Sequence, residues 1–171
     1  GVAPFFGAVA AVALVGYLLG GIRLALLAGA LILFIASVGL WEKAVVSTYE
    51  CLIAVVSCYV VGFPIAVWAA RSDAVWRVIQ PLADLLQTMP SFIFLIPFVI
   101  LFRSGEFTSI LIIVSFAIVP VIRYTAEGLR LVPQHIVEAA RAHGASRSQI
   151  LWQVELPLAM PNLILGLNQT I

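Results

Sequence analysis

The chain has 171 residues, of which 63% are hydrophobic and 10% are charged. Soluble domains are about half apolar and about a quarter charged, so this composition excludes an ordinary soluble globular protein and indicates a membrane protein. The formal net charge is only +1, and no nucleic-acid partner is expected.

Six uncharged runs follow one another along the chain, and each is a candidate transmembrane span. A helix rises about 1.5 Å per residue, so about 20 residues cross the roughly 30 Å hydrocarbon layer. The short run of residues 107–122 spans if Arg123 extends its side chain toward the headgroups and Glu106 lies at the opposite interface. The sequence therefore predicts an all-α, polytopic transmembrane helical bundle embedded in a lipid bilayer. The runs are residues 3–22, 24–41, 51–70, 85–102, 107–122 and 156–171.

Basic residues are distributed unequally between the connections of these runs. Lys43 and Arg103 follow the second and fourth runs, whereas seven arginines follow the odd-numbered runs. Because cytoplasmic connections carry an excess of Lys and Arg, the odd-numbered connections are predicted to be cytoplasmic. The seven are Arg23, Arg71, Arg77, Arg123, Arg130, Arg141 and Arg147.

The first two runs carry one specific signal, the pair Gly16 and Gly20. Small residues four apart let another helix approach closely, either in ordinary packing or in a dedicated dimer. In the third run, Cys51 and Cys58 are about 10 Å apart along a helix axis, too far for a disulfide. They are interpreted as small apolar residues, and no metal site is predicted.

Prolines interrupt the third and fourth runs. Pro64, Pro90 and Pro97 each remove a backbone donor and clash with the preceding turn, so kinks or breaks are expected there. In transporters, such interruptions lie where backbone lines a cavity. The segment Gln87-Thr88-Met89-Pro90-Ser91 is therefore a candidate part of a substrate pathway. Alternatively, Gln87 and Thr88 bond to headgroups or to their own helix.

A polar helical hairpin, residues 133–157, is predicted between the last two runs. Pro133 suits the first position of a helix over residues 134–143. Gly144 suits a left-handed end of that helix, and Ser146 with Gln149 matches a capping box for the next one. Pro157 is expected to stop this second helix.

The hairpin has two interpretations from its residues alone. It is either a solvated pair of loop helices or a knob that another protein grips. Ala139, Ala140 and Ala142 leave the first helix narrow near the turn, where Glu138 and Arg141 offer charged contacts. The second helix should turn an apolar stripe of Ile150, Leu151 and Val154 toward the membrane domain, with Arg147 and Gln149 exposed.

The spacing E-A-A, three residues, G, nine residues, an aliphatic residue, one residue, L-P resembles the signature loop of permease subunits in bacterial ATP-binding cassette importers. Val154 stands where isoleucine is usual. The resemblance implies a type I importer permease fold whose cytoplasmic hairpin docks as a coupling helix on the ATPase. Coupling to that ATPase is thereby implied for Glu138, Ala139, Ala140, Arg141, Gly144, Ala145 and Ser146.

Further segments resemble the branch that imports glycine betaine, proline betaine, choline and related quaternary amines. They are residues 87–90, 123–125, 144–146, 156–161 and 168–170. The likeness covers about residues 41–171, expected to be a permease core truncated at its C-terminal end, with residues 1–40 as generic N-terminal spans. The external turn, residues 103–106, is more charged than the family's turn.

The resemblance also implies an assembly in the bacterial inner membrane. It comprises two permease copies, expected to form a homodimer, two ATPase subunits and an extracytoplasmic substrate-binding protein or domain. No catalytic residue or cofactor is expected in this chain, since it has no G-x-x-x-x-G-K-[ST] loop; ATP and Mg²⁺ belong to the ATPase. Alternatives are a secondary transporter, although no ionisable residue lies near the centre of a run, and a passive channel or structural membrane protein.

Quaternary ammonium groups bind over aromatic faces, which makes Tyr59, Phe63, Phe92 and Phe94 candidate wall residues of a binding site.

Overall fold

The computed structural model describes residues 3–90 and 92–171, and the side chains within this part except those of residues 3–6 and 94. All regular secondary structure in the described part is helical, which confirms the predicted all-α class. The chain forms two compact units, Gly1–Tyr49 and Glu50–Ile171. Four of the described helical segments are long and apolar enough to cross a membrane: Gly7–Ser37, Trp41–Arg71, Glu106–Arg130 and Arg147–Thr170.

The first unit contains helix α1 (Ala3–Ser37), which breaks at Gly20 and Gly21. Gly21 has φ 71°, a left-handed conformation that glycine adopts without strain. A Cβ placed on Gly16 would lie 3.2 Å from the Cα of Ala25, although nine residues of straight helix measure about 13 Å. The two halves of α1 therefore fold back on each other, which agrees with the prediction of two separate apolar runs in this part of the chain. The predicted close approach at Gly16 is made within the chain.

Helix α2 (Trp41–Arg71) continues into the second unit and packs there against α5 (Glu106–Arg130). Its buried face consists of small residues three or four positions apart, so the two helices come close together. A Cβ on Gly62 would lie 3.2 Å from the side chains of both Ile118 and Val121. The interpretation of Cys58 as a packing residue is confirmed, because it is buried against α5. The buried residues of α2 are Ala54, Cys58, Gly62, Ala66 and Ala69.

The fourth predicted span, residues 85–102, is not one helix. Helix α3 (Asp73–Thr88) ends where Met89 becomes extended, and α4 (Phe92–Phe102) has only 11 residues, or about 16 Å of length. Pro90 explains the break, since the residue before a proline is disfavoured in the α region. Pro64 and Pro97, by contrast, lie inside unbroken helices, so the breaks considered there do not occur.

Helix α5 is the centre of the second unit and packs along α8 (Leu156–Thr170). Glycines bring these helices together: a Cβ on Gly128 would be 2.8 Å from the Cβ of Asn162, and one on Gly166 would be 3.2 Å from the Cβ of Tyr124. The remaining helices, α6 (Gln134–Ala142) and α7 (Arg147–Ile150), join α5 to α8. They form the hairpin.

Candidate functional site

The hairpin is anchored to the membrane helices by an apolar cluster. Val137 of α6 and Ile150 of α7 are buried in it. Val132, which precedes the hairpin, and Leu156 and Ala159 of α8 complete it with Leu129 of α5. One side of each hairpin helix is therefore fixed, and the opposite side stays exposed to solvent.

The turn after α6 has the bonding of a Schellman motif. The amide of Ala145 donates to the carbonyl of Ala140 (3.1 Å), and the amide of Gly144 donates to the carbonyl of Arg141 (2.9 Å). Gly144 occupies the left-handed position with φ 82°, where glycine is preferred. Ala140 and Ala145 both pack on the apolar cluster. These two alanines thus fix the shape of the turn, and the predicted left-handed glycine is confirmed.

The second helix begins as predicted but does not stop at Pro157. Ser146 and Gln149 form a reciprocal capping box, and the helical segment then continues from Arg147 to Thr170. Pro133, at the other end of the hairpin, is the N-cap of α6 rather than its first helical residue. The predicted stop at Pro157 is wrong because the chain accommodates that proline inside a continuous helical segment.

A π-helical turn, Leu151–Glu155, allows Pro157 to lie inside the helical segment. The amide of Leu156 donates to the carbonyl of Leu151, five residues back instead of four. Pro157 has no amide hydrogen and its ring would clash with a carbonyl four residues earlier, so the wider turn just before it relieves the conflict. Such turns often mark functional sites.

The two faces of α6 carry different residues. Gln134, Val137 and Arg141 are three and four positions apart and share the inner face, where they line a cleft beneath the hairpin. Glu138 and Ala139 lie on the outer, exposed face, which also carries His135 and Ala142. Arg141 is exposed and also lines the cleft, and it lies beside Glu138, three positions earlier on the same helix. Spacing along the helix could have shown that His135 shares the exposed face with Ala139 and Ala142.

The cleft, which we call the arginine cleft, has a volume of about 480 Å³ and is enclosed by the hairpin and the ends of α2 and α5. Four of the seven arginines assigned to one side of the membrane line it. The guanidinium of Arg71 lies 3.0 Å from the carboxylate of Glu155 in the π-helical turn. The charged residues lining the cleft are Arg71, Asp73, Arg130, Arg141, Arg147 and Glu155.

Arg130 closes the end of α2. Its guanidinium donates to the carbonyls of Ala69 (3.4 Å) and Ala70 (3.3 Å), which have no partner within the helix. It also lies 5.5 Å from the ring centroid of Trp76 and pairs with Asp73. The pKa of the exposed Asp73 carboxyl is held below its usual value, mainly by the hydrogen bond from Arg130 and in second place by the positive charge of that residue.

The pathway segment meets α5 through Arg123. Its Nη1 donates to Oε1 of Gln87 (2.7 Å) and lies 2.6 Å from the carboxylate of Asp84; its Nε lies 3.3 Å from the carboxylate of Glu127. Arg123 thus pairs with two residues of α3 and with Glu127 of its own helix. The side chain of Gln87 bonds to this second helix and not to its own.

The other members of the pathway segment bond locally. The hydroxyl of Thr88 donates to the carbonyl of Leu85 in its own helix (2.8 Å), as the alternative interpretation expected. The amide of Met89 also donates to that carbonyl, and the carbonyl of Pro90 accepts from the amide of Ile93. Ser91 lies outside the described residues. Gln87 is therefore the member of the described segment whose side chain contacts a second helix.

Two of the four aromatic wall candidates share a groove. Tyr59 and Phe63 line an apolar groove of about 470 Å³ between α2 and α8, and Phe92 is not among its lining residues. The hydroxyl of Tyr59 donates to the carbonyl of Leu163 (3.3 Å), and the ring of Phe63 contacts that of Trp152. The side chain of Phe94 lies outside the described part. These contacts are typical of helix packing.

Comparison with known proteins identifies the family from the part of the chain that holds this site. The family of binding-protein-dependent transport system inner membrane components matches residues 62–171. The chain belongs to this family. Its helices α3–α8 lie wholly within the matched region, and the predicted resemblance to permeases is confirmed.

Individual relatives agree with the family. The chain is 38% identical over 159 residues to the glycine betaine/proline betaine transport system permease protein ProW of Escherichia coli, an alignment that covers 93% of this chain and 45% of the relative. It is 43% identical over 154 residues to the trimethylamine N-oxide transport system permease protein TmoV of Ruegeria pomeroyi, covering 90% of this chain and 23% of the relative. The similar glycine betaine transport system permease protein OpuAB of Bacillus subtilis is 38% identical over 139 residues, 81% of this chain and 49% of the relative. The chain thus spans half or less of the length of these relatives.

Proposed function

We propose that this chain is the permease subunit of an ATP-driven importer in the bacterial inner membrane, and that its substrate is glycine betaine or a related quaternary amine. Two of the relatives named above carry glycine betaine in their names, and the third carries trimethylamine N-oxide, a small methylated amine oxide. The chain acts as a transport subunit with no catalytic residue of its own; ATP and Mg²⁺ bind to a cytoplasmic ATPase. An extracytoplasmic binding protein or domain and a second permease copy complete the assembly, in which residues 41–171 serve as the permease core and residues 1–40 as N-terminal spans.

The observation that carries this proposal is the two-sided hairpin. Its inner side is fixed by the apolar cluster, so a force on its outer side moves the membrane helices instead of only bending a loop. Glu138 and Ala139 on the outer face, with Gly144 and Ser146 at the exposed turn, form the contact surface for the ATPase. Ala140 and Ala145 hold its shape from the inside, and Arg141 extends along the cleft side of the same coupling segment.

The pathway follows the broken helix between α3 and α4. Residues 87–90 end the first helix next to α5, and interrupted helices in transporters lie beside substrate cavities. Gln87 and Thr88 provide polar groups there, while Met89 and Pro90 produce the interruption. The hydrogen bond from Arg123 to Gln87 supports a connection of this segment to α5.

Site-directed crosslinking tests the coupling surface. Cys51 is exposed and Cys58 is buried, so a Cys51→Ser background removes the accessible native thiol. In that background Ala139→Cys should crosslink to the ATPase in intact cells. Ser104→Cys is the matched control, because Ser104 is also exposed but precedes α5, at the opposite end from the hairpin. Equal crosslinking at both positions, or none at Ala139→Cys, would contradict the proposal.

A secondary transporter is the second candidate, since the broken helix is also a feature of that class. The two candidates differ in their energy source. Uptake of radiolabelled glycine betaine into vesicles should require ATP for an importer, and should instead require an ion gradient for a secondary transporter. A permease should also retain its ATPase during purification.

A further inference from the structure

The arginine cleft carries more positive than negative charge. Arg71, Arg130, Arg141 and Arg147 line it, against the carboxylates of Asp73 and Glu155. Two of the arginines are neutralised, since Arg71 pairs with Glu155 and Arg130 pairs with Asp73. Two positive charges remain in one cleft.

The remaining charges belong to Arg141 and Arg147. Across residues 3–90 and 92–171, neither side chain forms an ion pair or a hydrogen bond. They stand on either side of the turn, one in the last turn of α6 and one at the first residue of α7. The first turn of a helix disfavours a cation and favours an anion, so Arg147 gains nothing there from the helix itself.

We infer that the arginine cleft binds a phosphate group between Arg141 and Arg147. A guanidinium donates two parallel hydrogen bonds to phosphate oxygens, a geometry that a single ammonium group does not provide. The volume of about 480 Å³ lies in the range of small-ligand sites, so it admits a phosphate together with the group that carries it. The phosphate belongs either to an anionic lipid headgroup or to a soluble phosphate.

The position of the cleft makes both sources accessible. The arginine-rich end of the second unit is the predicted cytoplasmic side, and the cytoplasmic leaflet carries anionic lipids. The walls come from α2, α5 and both hairpin helices. A phosphate held by Arg141 and Arg147 would therefore connect the two helices of the hairpin beside the ends of α2 and α5. This inference does not depend on the identity of the transported substrate.

Ligand-dependent thermal stability of the purified protein in detergent tests the site. One titration uses inorganic phosphate and another uses dihexanoyl phosphatidylglycerol, each against chloride at equal ionic strength. A ligand that binds the folded state raises the melting temperature with concentration. The double variant Arg141→Gln/Arg147→Gln should bind roughly tenfold more weakly or worse, since it removes the charged hydrogen bonds.

The controls separate a specific site from general charge. Arg23→Gln/Lys43→Gln removes the same charge from two exposed residues outside the cleft and should bind like the wild type. Because neither Arg141 nor Arg147 pairs with a carboxylate in the described structure, removing them exposes no unpaired acid. Arg141→Lys/Arg147→Lys keeps the charge and loses the paired donors, so it should bind with intermediate strength; it also replaces the glutamine variant if circular dichroism shows that variant unfolded.

Each outcome decides the inference. Stabilisation by both ligands that requires the two arginines supports a site for any phosphate group. Stabilisation by phosphatidylglycerol alone supports the lipid source, and stabilisation by inorganic phosphate alone supports the soluble source. No stabilisation beyond chloride, or equal loss in the cleft variants and in Arg23→Gln/Lys43→Gln, would overturn it.

Discussion

Replacing Gly144 tests how the hairpin turn is held and what its exposed surface contacts. The residue has φ +82°, and a Cβ there would meet nothing within 4 Å. An added side chain therefore introduces backbone strain without a clash. A residue with a Cβ costs roughly 1–2 kcal/mol in the left-handed region, whereas asparagine and aspartate tolerate that region better. Alanine should thus open the turn more than either of them.

The two hydrogen bonds of the turn give a direct readout of this strain. The amide of Ala145 is protected by its bond to the carbonyl of Ala140. A loss of about 1.4 kcal/mol increases the open population about tenfold, so the Ala145 amide should exchange hydrogen about tenfold faster in Gly144→Ala. Gly144→Asn should stay closer to the wild type. Unchanged exchange in Gly144→Ala would refute the dependence of this turn on left-handed geometry.

Two substitutions of Gly144 distinguish the effect of backbone strain from the effect of charge on coupling to an ATPase. Gly144→Asp shares the conformational tolerance of Gly144→Asn and differs by a negative charge at the exposed turn. If the turn contacts an ATPase, Gly144→Asp should insert into the membrane normally and lose ATP-driven uptake into vesicles, while ATP hydrolysis continues. Gly144→Asn should lose much less of its ATP-driven uptake. Full uptake by Gly144→Asp would remove the turn from the coupling surface.

Three further substitutions probe the second unit. Gly128→Ala places a methyl group against α8 and should lower stability by about 1–3 kcal/mol in thermal unfolding. Its control is Gly29→Ala, whose Cβ meets nothing within 4 Å; this change should be neutral or stabilising by up to about 1 kcal/mol. Asp73→Asn should destabilise the protein at pH 7 and have no effect at low pH, because Arg130 lowers the pKa of Asp73. The extra stability of the wild type is present above about pH 3.9 and is lost as the pH falls through the lowered pKa. Arg123→Lys should cost about 1 kcal/mol in thermal unfolding, since one ammonium cannot keep three contacts and the groups are partly exposed.

Contrary results have specific meanings. Equal melting of the two glycine variants would mean that helices α5 and α8 are not in tight contact. A stability difference between wild type and Asp73→Asn that persists well below the lowered pKa would show that the ion pair is not its cause. Unchanged melting of Arg123→Lys would show that the contacts of Arg123 with α3 do not contribute to stability.

The turn of the hairpin was predictable because its residues act on their own neighbouring backbone. Gly144 takes the left-handed position and Ser146 caps the next helix, and both effects are local in sequence. The break before Pro90 was also predictable, but the same rule is misleading at Pro64. Whether a proline interrupts a membrane helix depends on whether neighbouring groups or local backbone adjustments satisfy the carbonyl that it frees, which is information from tertiary structure.

The surroundings of the arginines were not predictable for the same reason. Arg123 ends an apolar run, so an interfacial position is the simple expectation; its pairing with Asp84 and Gln87 requires α3 to pack beside α5. The position of Arg141 at the cleft was not predictable either, because the linear motif does not show which side of α6 packs on the membrane helices. The burial of Val137 identifies that inner side.

Helix α5 connects the hairpin to the pathway segment within eight residues. Arg123 holds Gln87 at the end of α3, Gly128 packs on α8, and Leu129 belongs to the apolar cluster beneath the hairpin. Arg130 then closes the end of α2. A displacement of the hairpin that moves this part of α5 must either carry the end of α3 with it or break the contacts of Arg123. The physical connection between the exposed turn and the break between α3 and α4 is therefore short and contiguous, and such packed and hydrogen-bonded contacts can carry energetic coupling between two sites.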